Sequence, residues 1–177
     1  MAKLLSLPDC AQAIAYQQIV AALRADPTIG LLVPEAQWTT HLEDATVKRN
    51  TGPDCNGLPA VRIMPFSAGV TPEAQTIQNS AMGLAITATT AGHDVRDIMN
   101  FWYALTAPVF TGDGNKTLTD SIRTALRQAS IDRGGINIGS LQTIRLGMPA
   151  IGPSADSLGN KFMVAEGLIH VEMTVPR

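Results

Sequence analysis

The chain has 177 residues, a length typical of one domain. Its apolar fraction is 45%, its charged fraction is 16% and its formal net charge is −2, a composition that excludes intrinsic disorder. The sequence has no basic stripe or arginine-rich tail that would wrap nucleic acid. The low charge leaves a large uncharged surface, which is easily desolvated and suits a protein that packs against partners.

The cysteine content and the apolar runs indicate a cytosolic protein. Cys10 and Cys55 form neither a CxxC motif nor a Cys/His cluster, so we expect two reduced thiols. No run of 18 apolar residues occurs, and residues 1–7 lack the apolar core of a secretory signal. We therefore expect a protein that stays in the cytosol unless it leaves as part of a larger particle.

The first predicted helix has clear start and stop signals. Ser6 is the expected cap, Pro8 suits the first turn, and Asp9 stands at the capping-box position. Asp26-Pro27 ends the helix. Its apolar residues recur at helical spacing: Tyr16, Ile19, Val20 and Leu23.

The next stretch, residues 27–57, is the least regular part of the chain. We expect Trp38 to anchor it, and a group of apolar residues near its start to touch the core: Ile29, Leu31, Leu32 and Val33. Residues 50–57 are a dense cluster of turn residues and predict an exposed loop. The only adjacent basic pair, Lys48-Arg49, is interpreted as a solvated loop.

Two strands are predicted next. The first covers Leu58 to Phe66, with Val61 and Ile63 on one face. Because Pro59 and Pro65 lack ladder donors, this strand is expected to be short or at a sheet edge.

The second strand follows a polar stretch. Residues 67–80 show little periodicity and form either a long mobile loop or the tip of a hairpin. In Gly83 to Thr90, which is the second strand, Leu84, Ile86 and Ala88 alternate with Ala85, Thr87 and Thr89.

Two helices follow the strands. One begins near His93-Asp94 and ends at Pro108. The other follows a turn at residues 111–115, is capped by Thr117 with Asp120 at the capping-box position, and ends at Gly134-Gly135. The apolar stripe of the earlier helix is Val95, Ile98, Met99, Trp102 and Leu105, and that of the later one is Leu118, Ile122, Ala125, Leu126 and Ala129.

Two further strands complete the pattern. The first carries alternating Ile144, Leu146 and Met148, and a turn-rich link, residues 152–159, leads to the second. The apolar positions of the final strand are Ile169, Val171, Met173 and Val175, preceded in the opposite phase by Phe162, Val164 and Leu168. This change of phase predicts a bulge near Gly167, and the short connection predicts antiparallel pairing.

The order of these elements predicts an α+β fold. We expect a small, mostly antiparallel β-sheet flanked by an N-terminal helix and two central helices. Since no repeat or linker divides the chain, residues 1–177 are expected to form a single α+β domain, with residues 27–57 and 67–80 as extended or loop segments.

The candidate catalytic and metal-binding residues are scattered. His41, His93 and His170 lie in three different elements, without Glu or Cys at metal-ligand spacing. Residues 112–117 end in Lys-Thr as a P-loop does, but they lack its spacer and follow no buried strand. Residues 134–139 follow a helix, so they are no dinucleotide fingerprint. We therefore predict no catalytic, cofactor-binding or metal-binding residue, no cofactor and no enzymatic activity.

Two other features have structural explanations. Asp94 and Asp97 lie at the start of a predicted helix, where they favour its dipole instead of forming an acid/base pair. In the aromatic run Phe101-Trp102-Tyr103, Trp102 is expected in the core. Phe101 and Tyr103 point elsewhere on the helix and provide either rim packing or a partner contact.

Three stretches carry a family resemblance: Leu58 to Ile63, Gly83 to Thr90 with the helix Asp94 to Leu105, and Gly167 to Val175. In the order and texture of its elements, from about residue 10 onward, the chain resembles the tail terminator or tail completion proteins of tailed bacteriophages. The resemblance implies a ring, commonly six-fold, that caps the tail tube and joins it to the neck. In that family, helices lie on the outer side of a small sheet.

The resemblance also implies partners and a location. The partners would be further copies of the chain, the tail tube protein and the head–tail connector proteins, without a membrane or sequence-specific nucleic acid. The location would be the tail or neck of the virion, and the host cytoplasm during assembly. Two alternatives remain open: a small cytosolic ligand-binding enzyme, with a site near Trp102 and the glycine-rich turns, and a bacterial protein-interaction adaptor.

Overall fold

A computed structural model describes residues 10–40, 57–72, 77–156 and 158–176. These residues form four α-helices, a short 3₁₀ helix at Glu35–Gln37 and six β-strands, which confirms the predicted α+β class. The helices are α1 (Ala11–Arg24), α2 (Pro27–Leu32), α3 (Val95–Phe110) and α4 (Gly112–Asp132). The strands are β1 (Trp38–Thr40), β2 (Ala60–Pro72), β3 (Ile77–Ala91), β4 (Ser140–Leu146), β5 (Ala150–Ala155) and β6 (Lys161–Pro176).

The six strands form one sheet in the order β1-β2-β3-β6-β4, with β5 also paired to β6. Strand β1 runs parallel to β2, and the other neighbours are antiparallel. One edge of β6 pairs with the whole of β3, and its other edge pairs first with β5 and then with β4. The predicted antiparallel pairing of the two C-terminal strands is confirmed by β4 and β6.

The core lies between the helices and one face of the sheet, which we call the helical face. The predicted apolar stripe of α1 is buried there. The Tyr16 hydroxyl donates to the Ile63 carbonyl oxygen at 2.8 Å, and the Gln12 amide donates to the Ser80 hydroxyl at 2.7 Å. These bonds fix α1 across β2 and β3, while the Trp102 ring of α3 lies over Gly167 of β6.

Helix α1 begins later than the sequence predicted. Its N-cap is Cys10, in an extended conformation, whereas the expected cap was Ser6, which lies with Pro8 and Asp9 outside the described residues. The helix ends at Arg24, as the Asp26-Pro27 signal indicated.

Residues 27–40 are more regular than predicted. The Asp26 carboxylate accepts from the Thr28 and Ile29 amides at 2.7 and 3.1 Å, so it caps α2, whose first residue is Pro27. Ile29 and Val33 are buried, but Leu31 and Leu32 are exposed, contrary to the expectation that all four touch the core.

Trp38 anchors this segment as predicted. It is buried, its indole N–H donates to the Val33 carbonyl oxygen at 3.2 Å, and the Arg24 guanidinium carbon lies 5.0 Å from its ring centroid. His41, Lys48-Arg49, Cys55 and the predicted loop, except Gly57, lie outside the described residues.

Strands β2 and β3 form a long hairpin. The first residue pair between them is Ala60–Thr89 and the last is Pro72–Gln78. Of the two alternatives for residues 67–80, a mobile loop or the tip of a hairpin, this pairing favours the hairpin. The prediction of a short or edge strand is wrong for the start of β2, because β1 pairs with it there. The register shifts directly after Pro65, where a bulge tolerates the missing N–H.

Both outer edges of the sheet are irregular. Beyond β1, β2 contains Pro65 and Pro72, and its pairing with β3 shifts register directly after Pro65. On the opposite edge, β4 has a register shift between Leu141 and Thr143, and β5 contains Pro153. Prolines and bulges at these positions disfavour the addition of a further strand.

Helix α3 begins after Asp94, as predicted, and the Asp94 carboxylate accepts from the Arg96 amide at 2.8 Å. It continues past the predicted end at Pro108 to Phe110. Pro108 has no N–H to donate to the helical ladder. The burial of Val109 in the core offsets the loss of that hydrogen bond.

Helix α4 begins earlier than predicted. Thr111 is its N-cap, with its hydroxyl accepting from the Gly114 amide at 3.1 Å, so residues 112–115 belong to the helix and Thr117 is no cap. The Asn115 side chain donates to the carbonyl oxygens of Val109 at 3.0 Å and Ile144 at 3.4 Å. These bonds hold the α3–α4 corner against β4.

Gly114→Ala is expected to destabilise this corner. An added Cβ would lie 2.6 Å from the Ala107 carbonyl oxygen and 2.9 Å from the Pro108 Cα, both backbone atoms that cannot rotate away. We expect a loss of about 1–3 kcal/mol in the free energy of unfolding. Denaturant unfolding followed by circular dichroism measures it, with Gly112→Ala, where the added Cβ meets open space, as the control. Equal stabilities of the two variants would contradict this account.

The C-terminal region differs from the prediction in two places. Residues 150–155 form β5 along the first half of β6, where a turn-rich link was expected over residues 152–159. Strand β4 ends at Leu146, and Met148, predicted to alternate with the core positions, is exposed.

The predicted bulge near Gly167 is absent from the β3–β6 pairing, whose register is continuous through this residue. Ala165, Ile169 and the other odd-numbered residues from 163 to 175 share the helical face, where Gly167 has no side chain. A Cβ on Gly167 would lie 2.8 and 2.9 Å from the Cζ2 and Cη2 atoms of Trp102. The indole therefore fills the missing side chain's place. This gap, together with the apolar Phe162, Val164 and Leu168 on the other face of the strand, made the apolar pattern look as if it changed phase.

Candidate functional site

The histidines do not assemble a reactive centre in the described part of the chain. His93 precedes α3, and its Nε2 lies 3.0 Å from the Ser154 carbonyl oxygen of β5. His170 is exposed on β6, paired with Gly83 on one side and Arg145 on the other. Across residues 10–40, 57–72, 77–156 and 158–176, no group of three or more His, Cys, Asp or Glu is placed to hold a metal ion.

The glycine clusters have structural roles. Residues 112–117 form the first turns of α4, and residues 134–139 connect α4 to β4. Gly134 and Gly135 have positive φ values of 73° and 87°, which end the helix as predicted. None of the helices in the described ranges is long and apolar enough to cross a membrane.

The second face of the sheet, which we call the open face, carries polar and small side chains together with apolar ones, such as Val164 and Leu168 of β6. The described helices pack on the other face. Arg62 of β2, Thr87 of β3 and Glu166 of β6 are neighbours in register across the open face. Further along the open face, Arg145 and Glu172 form an ion pair at 3.6 Å, both well exposed, which contributes at most about 1 kcal/mol. The face is therefore nearly balanced in charge, but it is accessible only in part, because Thr89 and Phe162 on the same face are buried.

The aromatic run on α3 divides between the core and the surface. Trp102 is fully buried, as predicted, but Phe101 is also buried, so the expectation that it points away from the core is wrong. Tyr103 is 46% exposed, and its ring centroid lies 5.9 Å from that of Phe110, with the rings tilted by 50°. Phe110 is itself 62% exposed.

Several large apolar side chains remain on the surface. Val95, at the start of α3, is 51% exposed although the sequence assigned it to the core-facing stripe. Leu158, Leu31 and Met148 lie at connections or in the short α2 and are 85%, 88% and 93% exposed. Single exposed apolar residues of this kind are common on protein surfaces, whereas several of them close together, as on α3, are typical of a surface that binds another macromolecule.

Sequence reasoning missed the exposed side of α3, although a signal was present. Core residues Ile98, Trp102 and Leu105 already fill one face of a helix that turns 100° per residue. Val95, Met99 and the aromatic pair extend the apolar arc beyond what one buried face needs. The width of that arc was the signal.

No family model matches the chain, and no curated protein matches it. Among solved structures, it is similar to a chain in the structure titled "Virion of native gene transfer agent (GTA) particle". The sequence identity is 15%, the TM-score is 0.44, and the alignment covers 92% of this chain and 95% of the other. At these values the likeness assigns neither a family nor a function.

Proposed function

We propose that this chain is a structural protein of a phage tail or neck, whose copies form a ring that caps the tail tube and joins it to the head connector. The observation that supports the proposal is the group of exposed apolar residues on α3, where Val95, Tyr103 and Phe110 are 51%, 46% and 62% exposed. Exposing such a surface to water costs free energy, and burying it between assembled proteins removes that cost.

The sheet supports the same proposal. Its helical face forms the core, while its open face carries a mixture of polar and apolar side chains with nearly balanced charge. A ring needs one surface toward its lumen and others toward neighbouring subunits, and this division of surfaces fits that need. The arrangement also agrees with the family resemblance, in which helices lie outside the sheet.

Assembly of the purified full-length chain tests the proposal. We expect light scattering to give a discrete oligomer and negative-stain microscopy to show closed rings. Addition of the tail tube protein of the virus that encodes the chain should place these rings at tube ends. A species that stays monomeric at every soluble concentration, and does not bind tubes, would refute the proposal.

A further inference from the structure

We propose that one flank of α3, formed by Val95, Met99, Tyr103 and Phe110 and called the α3 stripe below, binds a second copy of this chain. The inference rests on the proposed function, since it names the surface through which the ring would close.

The four residues lie on one side of α3. Their spacings of four, four and seven residues bring successive side chains to nearly the same direction, because an α-helix turns 100° per residue. The core face, which carries Trp102 and Leu105, borders this flank, and Val95, seven residues before Trp102, lies at the boundary between the two. Ala104, on the opposite flank, packs against the core. The α3 stripe is therefore an apolar surface next to the buried face of α3, and the described residues leave it largely exposed.

The α3 stripe is uncharged and already ordered. Of the charged residues of α3, Asp97 stands away from it, whereas Arg96, seven residues before Tyr103, lies at its N-terminal border. Because the rings of Tyr103 and Phe110 contact each other, part of their freedom is lost before any partner binds. Aromatic side chains with few rotatable bonds that are already packed are favoured at the centres of protein interfaces.

The area of the α3 stripe fits the centre of an interface between copies. A large aromatic side chain buries about 150–250 Å², so Tyr103 and Phe110, each about half exposed, offer roughly 100 Å² apiece. With Val95 and Met99 the stripe supplies a large part of the apolar core of a specific interface, which buries about 800 Å² on each partner. Neighbouring polar residues would supply the rim.

A second copy is the occupant that best accounts for the remaining surface. The chain exposes Leu31, Met148 and Leu158 outside the α3 stripe, so a second copy offers apolar side chains of its own that the stripe can bury. Such a heterologous contact can close into a ring. The net charge of −2 gives little repulsion between copies, and the irregular sheet edges disfavour growth by strand pairing.

Single charges placed in the α3 stripe test the inference. In full-length Tyr103→Glu and Phe110→Glu, we expect the concentration needed for half-assembly to rise at least about tenfold, as for a central interface residue. The matched control is Ile131→Glu, the same kind of change at an exposed position near the end of α4. Light scattering measures the mass of the assembled species at each protein concentration, and circular dichroism verifies that each variant is folded.

The outcomes separate this inference from the proposed function. If the parent forms rings and both variants form them equally well, the α3 stripe is not the contact, while the proposed function stands. If the parent never associates, the proposed function itself fails. A photo-crosslinking residue at position 103 should yield a ladder of linked copies. Crosslinks to tube protein alone, with no linked copies, would assign the stripe to the tube and overturn the inference.

Discussion

Trp102→Ala is expected to lower the free energy of unfolding by about 3–5 kcal/mol, the usual cost of emptying a large aromatic site in a core. Trp102 is fully buried and lies against Gly167, so no side chain on β6 can move into the space. Because a domain is stable by only about 5–15 kcal/mol, this variant loses a large share of its stability. For a chain of this length the melting temperature should fall by about 6–20 °C.

The measurement is thermal and denaturant unfolding followed by circular dichroism, since the substitution removes a fluorophore. Asn100→Ala, an exposed position on the same helix, is the control and should change stability by at most about 0.5 kcal/mol. A Trp102→Ala protein as stable as this control would show that the α3–β6 contact is not part of the core.

Gly167→Ala is expected to destabilise the protein although it places a better strand former in β6. The new Cβ would meet the Trp102 ring at 2.8 Å, and a fully buried ring has no room to retreat. Overpacking of this kind costs about 1–3 kcal/mol, whereas removing a glycine from the unfolded chain contributes at most about 1 kcal/mol. We therefore expect a net loss in denaturant unfolding.

Two comparisons isolate the cause of that loss. Gly152→Ala, in β5, adds a Cβ with no atom within 4 Å and should be neutral or slightly stabilising. In a Trp102→Leu background, which lacks the indole, the cost of Gly167→Ala should largely disappear. An equal cost in both backgrounds would mean that the glycine is needed for another reason.

The order and type of most elements could be predicted because each has its own apolar periodicity. The stripe of α1 and the alternation in β3 needed no information from the rest of the chain. Strand β5 could not be predicted in this way, since Gly152, Pro153 and Ser154 disfavour strands, and the pairing with β6 holds them extended. Gly167 was misread for a similar reason, because the group that fills its place comes from α3.

The candidate site was predicted less well than the fold. The sequence singled out Tyr103 for a possible partner contact, and the structure places it on the surface. It also assigned Val95 and Met99 to the core, because helical spacing alone does not say how much of a wide apolar arc the sheet can cover. That limit depends on where α3 crosses the sheet, which is a property of the packed molecule.

The position of β6 governs when the molecule can fold. It is the last of the described strands to be synthesised, yet it lies inside the sheet and joins β3 to both β4 and β5. Until residues 161–176 leave the ribosome, β3 lacks one neighbour and the Trp102 side chain lacks the strand it covers. Folding therefore waits for contacts between distant parts of the chain, which makes it slow and leaves apolar surface open to chaperones in the meantime.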